Sequence, residues 1–197
     1  LIRQYDEFDE TISKHFQKKL SSEEERSLFF AKPNKNTEWA KTRVPFRQVA
    51  SFGQIAQGNF KHLKEMFSTI EQKFEDESLK ERLEKSQNWI NNFAKELEIK
   101  VRDTPNKKYF SDLSKERKNQ IYVLKEDIGK NWTLDELTLL VYSIPKKPGM
   151  GDKDKKQKQR EFFKDVYQLL IDNDTGPRLP TFMLALGKDK IRKLLSF

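Results

Sequence analysis

Hydrophobic residues recur three and four positions apart along most of the chain, which is the spacing that gives a helix one apolar face. The first such stripe consists of Ile2, Tyr5, Phe8, Ile12 and Phe16. A second long stripe lies within residues 78–98. Strand-type alternation does not extend beyond a few residues, and no fixed-period repeat is present. The pattern predicts an all-α protein, a multi-helix bundle or α-helical cage.

Proline, glycine and capping residues set the ends of the predicted helices. Thr133 and Glu136 have the spacing of a capping box, and Pro45 fits the first helical position of "VPFRQVASFG". The stretch "KKPGMGDKDKKQKQR" (146–160) is predicted as a basic linker before a helix "REFFKDVYQLLI". The strongest break is "RDTPNKK" (102–108), which predicts two helical subdomains, 1–104 and 105–197.

Composition favours a folded protein that binds a polyanion. The chain has 197 residues and a mean hydropathy of −0.90, but its 15 Phe, 5 Tyr and 3 Trp argue against disorder. Its formal net charge is +8, with a pI near 9.4. A surplus of this size fits nucleic-acid binding, and the alternative is a basic surface without a partner.

Catalytic patterns are missing from the sequence. The chain contains no cysteine, which excludes disulfides, thiolate metal sites and a Cys nucleophile. His15 and His62 lie far apart in sequence without matching carboxylates, so we expect structural or surface roles for them and no metal site. No apolar run approaches the roughly 18 residues of a membrane span, and no signal peptide is recognisable, so a cytoplasmic location is expected. The absence of an initial Met suggests a fragment.

The closing stretch "DTGPRLPTFMLALGKDKIRKLL" (174–195) predicts a helical hairpin. Pro180 fits the first turn of a short apolar helix, and Gly187 fits its end. Arg178 would then stand beside the free N–H groups of the helix start, and both features favour anions. The alternative is an arginine that bonds neighbouring carbonyl groups and is purely structural.

The basic stretch 146–160 is a second candidate for an anion-binding segment. It holds seven Lys or Arg and two Asp in fifteen residues. Lys153, Lys155 and Lys156 could follow the phosphates of a nucleic acid through contacts that carry little sequence information. The alternative is a solvated flexible loop.

Two segments resemble class I lysyl-tRNA synthetases. Residues 162–195, "FFKDVYQLLIDNDTGPRLPTFMLALGKDKIRKLL", resemble the C-terminal end of that family, where an aromatic-rich helix leads to a GPRL-type turn, a short apolar helix and a Gly-Lys-x-x-Ile segment. Residues 44–59, "VPFRQVASFGQIAQGN", resemble a VPFRH-like helix start, with Gln48 where the family pattern has His.

The resemblance implies the anticodon-binding α-helix cage of such an enzyme, acting in protein biosynthesis. Residues 1–104 would form the first part of the stem and cage, and residues 105–197 the subdomain that binds the U-rich anticodon of lysine tRNA. The full enzyme would join lysine to tRNA using ATP and Mg²⁺ in an N-terminal catalytic domain. That domain's HIGH-type and KMSKS-type signatures do not occur here, so we expect this chain alone to be inactive and to bind no cofactor.

The resemblance also suggests which residues contact RNA, since anticodon bases are read by stacking on aromatic side chains and arginine and by hydrogen bonds to their edges. The candidates are Arg178, Phe182, Arg43, Arg47, Trp132, Lys153, Lys155 and Lys156. The expected partners are lysine tRNA and the catalytic domain, with no membrane. Two alternatives stay open: the matching region of a glutamyl-tRNA synthetase, or a basic helical scaffold for protein interactions.

Overall fold

The computed structural model describes residues 2–31, 39–128 and 132–197. Within these ranges the chain forms eleven α-helices and one 3₁₀ helix, and none of the described residues lies in a strand. The predicted all-α class is therefore confirmed. No helix in the described ranges combines the length and the apolar character needed to cross a bilayer.

The chain divides into two compact units. Unit 1 comprises Leu1–Leu63 and Glu71–Leu97. Its helices are α1 (Ile2–Phe16), α2 (Ser22–Phe30), α3 (Phe46–Ile55), the start of α4 (Phe60–Thr69), α5 (Asp76–Phe93) and the 3₁₀ helix Lys95–Leu97. Helices α3 and α5 approach closely because Gly53 has no side chain: a Cβ there would lie 2.6 Å from Leu83 Cδ1. The apolar faces of α1, α3 and α5 form the core of this unit.

Unit 2 comprises Lys64–Ile70 and Glu98–Phe197. Its helices after α4 are α6 (Lys107–Asp112), α7 (Lys115–Asp127), α8 (Leu134–Ser143), α9 (Asp152–Ile171), α10 (Leu179–Leu186) and α11 (Lys188–Leu194). Helix α9 contacts α6, α7 and α11, while α10 packs on α8 and α11. The core includes Leu124, Leu137, Phe162, Val166, Phe182 and Leu194.

Several predicted helix ends are confirmed. Thr133 and Glu136 form a capping box at the start of α8, and Pro180 lies in the first turn of α10. Gly187 ends α10 with φ 83°, a conformation that suits glycine. Pro45 immediately precedes α3 as its N-cap residue, one position before the predicted one.

The predicted linker 146–160 is wrong from Asp152 onward, because α9 already begins there. Gly151 is its N-cap residue, and Asp152 and Asp154 place negative charge in the first turn, where the helix dipole favours it. Lysine is a good helix former, so a lysine-rich segment extends a helix once one has started. The functional assignment of subdomains 1–104 and 105–197 stays a prediction.

Candidate nucleic-acid interface

A tyrosine of α9 holds the turn between α9 and α10. Its hydroxyl, that of Tyr167, donates a hydrogen bond to the carbonyl of Pro177. The ring lies against Gly176, where a Cβ would come within 2.7 Å of Tyr167 Cε1. Burial raises the pKa of Tyr167, so the hydroxyl keeps its proton and remains a donor. The turn is thus fixed on both sides by one buried side chain.

Replacing Gly176 by alanine should lower the free energy of unfolding by about 1 to 3 kcal/mol, because the methyl group would displace a ring that is anchored by its own hydrogen bond. Gly151→Ala is the matched control, since its Cβ would find its nearest neighbour at 3.7 Å. Urea unfolding of the two variants measures the difference. Equal free energies of unfolding for the two variants would contradict the role of the Tyr167 ring in fixing this turn.

This turn presents Arg178 to solvent. The residue is the N-cap of α10, and its side chain is exposed. None of the described residues forms a hydrogen bond or ion pair with its guanidinium group. The alternative in which Arg178 bonds neighbouring carbonyls is therefore not what the structure contains. Phe182, by contrast, is fully buried and packs against Tyr167. Its ring therefore supports the turn from inside and cannot stack on a base, so the prediction that Phe182 contacts RNA is wrong.

A row of cations follows the first half of α9. Lys153, Lys156 and Arg160 are exposed, and their spacing of three and four places them on one helix face. Within the described part of the chain, none of the three has a hydrogen-bond or ion-pair partner. Lys155 lies off this row, and its ammonium group is 3.4 Å from the Asp152 carboxylate. We call Lys153, Lys156 and Arg160 the α9 row.

A buried carboxylate ties α9 to the two helices before it. Asp165 is fully buried and accepts hydrogen bonds from Arg117 Nε of α7 at 2.7 Å and from the Tyr109 hydroxyl of α6 at 2.8 Å. Burial and the neighbouring Asp165 raise the pKa of Tyr109 to about 12, so this hydroxyl also remains a donor. The three residues fix α6, α7 and α9 relative to one another within unit 2.

The remaining candidates have different surroundings. Arg43 is largely buried in unit 1, where its Nη1 lies 3.2 Å from Asp9 Oδ1 and its guanidinium carbon 5.3 Å from the centre of the Trp39 ring. Asp9 is also bound by the buried Arg82, so these contacts give Arg43 a structural role. Arg47 is exposed at the start of α3. The indole N–H of Trp132, a half-buried residue, donates to the carbonyl of Asp127 at 2.8 Å.

Arg178 and the α9 row therefore both belong to unit 2, whereas Arg43 and Arg47 belong to unit 1. Sequence reasoning missed Tyr167 and Asp165. The pair Gly176–Pro177 in the turn between α9 and α10 was a signal that an aromatic ring could lie close to the backbone there. No local signal marks Asp165, because its arginine partner is 48 positions away.

The positive charge of the chain is concentrated in its second half. Residues 98–197 hold 22 Lys and Arg against 15 Asp and Glu, a net charge of +7 out of the total of +8. The positive charge that would attract a polyanion therefore lies in the same part of the sequence as Arg178 and the α9 row.

The chain is similar in sequence to lysine–tRNA ligases, the enzymes also called lysyl-tRNA synthetases. It is 32% identical to the lysine–tRNA ligase of Streptomyces coelicolor over 77% of this chain and 28% of that protein. Those of Methanopyrus kandleri and Pyrococcus horikoshii are 24% and 25% identical over 99% of this chain, covering 36% and 38% of those proteins. The chain spans about a third of the length of these curated relatives. No protein-family model matches the chain.

Proposed function

Because the chain is homologous to part of the lysine–tRNA ligases, as its motifs suggested, we propose that it is the region of a class I enzyme of that kind that binds the lysine tRNA anticodon. The observation that carries the proposal is Arg178, an exposed arginine without a partner among the described residues, on a turn that Tyr167 and Gly176 hold rigid. Because the turn holds the backbone of Arg178 in place and no described group bonds its guanidinium, the planar N–H donors are available to the edge of an unpaired base.

The α9 row supplies the phosphate contacts in this proposal. Its cations share one exposed helix face and have no acidic partner in the described ranges, so their charge is available to an RNA strand. Such contacts position the RNA without reading its sequence. The reading of bases then falls to Arg178 and the surfaces near it.

The catalytic part of the proposed enzyme would lie outside this chain. Aminoacylation of tRNA with lysine, using ATP and Mg²⁺, would be carried out by a catalytic domain joined to this one. This chain would contribute affinity for the correct tRNA and orient it. We therefore expect the isolated chain to bind lysine tRNA and to form no lysyl-tRNA.

Electrophoretic mobility shifts of the chain with lysine tRNA, the same tRNA with a changed anticodon, and glutamate tRNA test the proposal. We expect the unaltered lysine tRNA to bind most tightly. Equal affinity for all three RNAs would contradict recognition of the anticodon. Tighter binding of glutamate tRNA would instead favour the matching region of a glutamyl-tRNA synthetase. Lack of binding at low salt would favour a scaffold for protein interactions.

Removing the α9 row should weaken tRNA binding without changing its specificity. In the triple variant Lys153→Ala, Lys156→Ala and Arg160→Ala, the slope of log affinity against log salt should become shallower by about 2, since each single-strand phosphate contact contributes about 0.7. The matched control replaces three exposed lysines of unit 1, Lys61, Lys80 and Lys95, by alanine. A slope that changes equally in both triple variants would contradict the assignment of the phosphate contacts to the α9 row.

A further inference from the structure

Unit 2 contains a cavity of about 440 Å³ where residues 98–104 pass the end of α9. Its wall includes Arg102 from that segment, and Ile171, Asp172 and Asn173 from the end of α9 and the turn that follows. The volume falls within the roughly 300–1,000 Å³ that is usual for small-molecule and cofactor sites. The cavity is large enough for one nucleoside.

Arg102 is held firmly at the cavity wall. Its backbone N–H donates to the carbonyl of Leu170 at 2.9 Å. At the other end of the residue, Nη1 lies 3.3 Å from Asp172 Oδ2, and Nε donates to the carbonyl of Thr104 at 3.3 Å. The side chain is 26% exposed. These bonds fix the plane of the guanidinium group, and such a plane is a stacking surface for an unpaired base.

Asn173 offers a polar group at the same wall. Asp172 takes the left-handed conformation with φ 56°, and Asn106 Nδ2 holds its carboxylate at 3.3 Å. Asn173 Oδ1 accepts the N–H of Thr175 at 3.3 Å. Its Nδ2 group has no hydrogen-bond partner among the described residues. This amide can therefore donate to a carbonyl or ring nitrogen on the edge of a base.

The charges around the cavity favour a base over a free phosphate inside it. Three acidic residues, Glu98, Asp103 and Asp172, and two basic ones, Lys100 and Arg102, belong to the wall, so an anion inside would meet more negative than positive charge. Lys190 of α11 lies 3.0 Å from Asp103, and this lysine together with Lys193 lowers the pKa of that carboxyl. A wall of mixed charge with a small excess of carboxylates suits a neutral base whose phosphates stay outside.

The cavity also lies near the proposed base-reading arginine. Asn173 and Arg178 are five residues apart, so their Cα atoms are separated by at most about 17 Å. Neighbouring nucleotides of one single-stranded RNA loop could reach both the cavity and Arg178. The turn that carries Arg178 and the wall that carries Asn173 are one continuous segment.

We propose that this cavity takes one splayed-out base of a single-stranded RNA loop, stacked on the Arg102 guanidinium and hydrogen-bonded by the Asn173 amide. The inference rests on the proposed function and deepens it, because it assigns a base-specific subsite beside Arg178. It requires that the affinity contributed by Arg102 depend on the presence of one particular base.

Stem-loops with the anticodon arm of lysine tRNA, each lacking the base at one loop position, test this dependence. Fluorescence anisotropy gives the affinity of the chain and of Arg102→Met and Asn173→Ala for every stem-loop. We expect each variant to bind the intact loop about tenfold more weakly, which is within the range for losing one stacked base. Lys108→Met, an exposed cation of α6, is the matched control and should lose little.

The deciding result is the behaviour of the stem-loops without a base. For the loop that lacks the base bound in the cavity, the unaltered chain should already bind about as weakly as Arg102→Met, and the variant should lose nothing more. A loss of the same size for every loop would make Arg102 a phosphate contact and overturn the subsite. So would unchanged binding by both variants. If the unaltered chain binds no intact stem-loop, the proposed function falls as well.

Discussion

Replacing Arg117 by methionine should lower the free energy of unfolding by about 3 to 5 kcal/mol, because it leaves the fully buried Asp165 carboxylate without its cation. The hydroxyl of Tyr109 would remain as a donor to Asp165, but a single neutral hydrogen bond does not replace a guanidinium. The loss should be measurable by urea unfolding followed by circular dichroism.

Two further variants isolate the cause of this loss. Lys115→Met, an exposed cation on the same helix α7, should change stability by less than about 0.5 kcal/mol. The double variant Arg117→Met and Asp165→Leu should recover much of the stability, since removing both charges leaves no buried ion unpaired. A stability loss of Arg117→Met no larger than that of the control would contradict the structural role of the network.

Replacing Arg178 by alanine should weaken binding of lysine tRNA by about 1 to 3 kcal/mol, by analogy with other side chains that read base edges. The fold should be unchanged, because in the described part of the chain no group bonds to the Arg178 guanidinium. Affinity measured by fluorescence anisotropy, together with thermal unfolding, separates the two effects. Arg26→Ala, an exposed arginine of α2 in unit 1, is the matched control.

The pattern of the Arg178 loss across RNA sequences is as informative as its size. A residue that reads a base loses its effect when that base is changed, whereas a phosphate contact loses the same affinity for every sequence. We expect the first pattern. If Arg178→Ala loses helical circular dichroism along with tRNA binding, the arginine is structural and the proposed contact is wrong.

The sequence predicted best those features that depend on neighbouring residues. Helix α8 begins where Thr133 and Glu136 indicated, and α10 where Pro180 indicated, because capping and proline effects act within one helical turn. The start of α9 was missed because its first half has no apolar stripe. The repeated apolar positions that reveal a helix begin only near Phe162.

Side-chain burial depends on parts of the chain that are distant in sequence. From the sequence, Phe182 and Arg178 were both candidates for contacts with RNA, yet packing in unit 2 buries Phe182 and leaves Arg178 exposed to solvent. Arg43 looked like an RNA contact, but Asp9, 34 positions away, binds it. The cavity beside Arg102 has the same origin, because its two walls are about 70 residues apart in the sequence.

The most direct test of the account is a chemical footprint of the chain on lysine tRNA, which locates the contact without assuming which base matters. Probing of base edges in the presence and absence of the chain should show protection in the anticodon loop. That protection should weaken with Arg178→Ala and persist with Arg26→Ala. Protection confined to the acceptor stem or another arm, with an unchanged anticodon loop, would contradict the assignment of this chain as the anticodon-binding region.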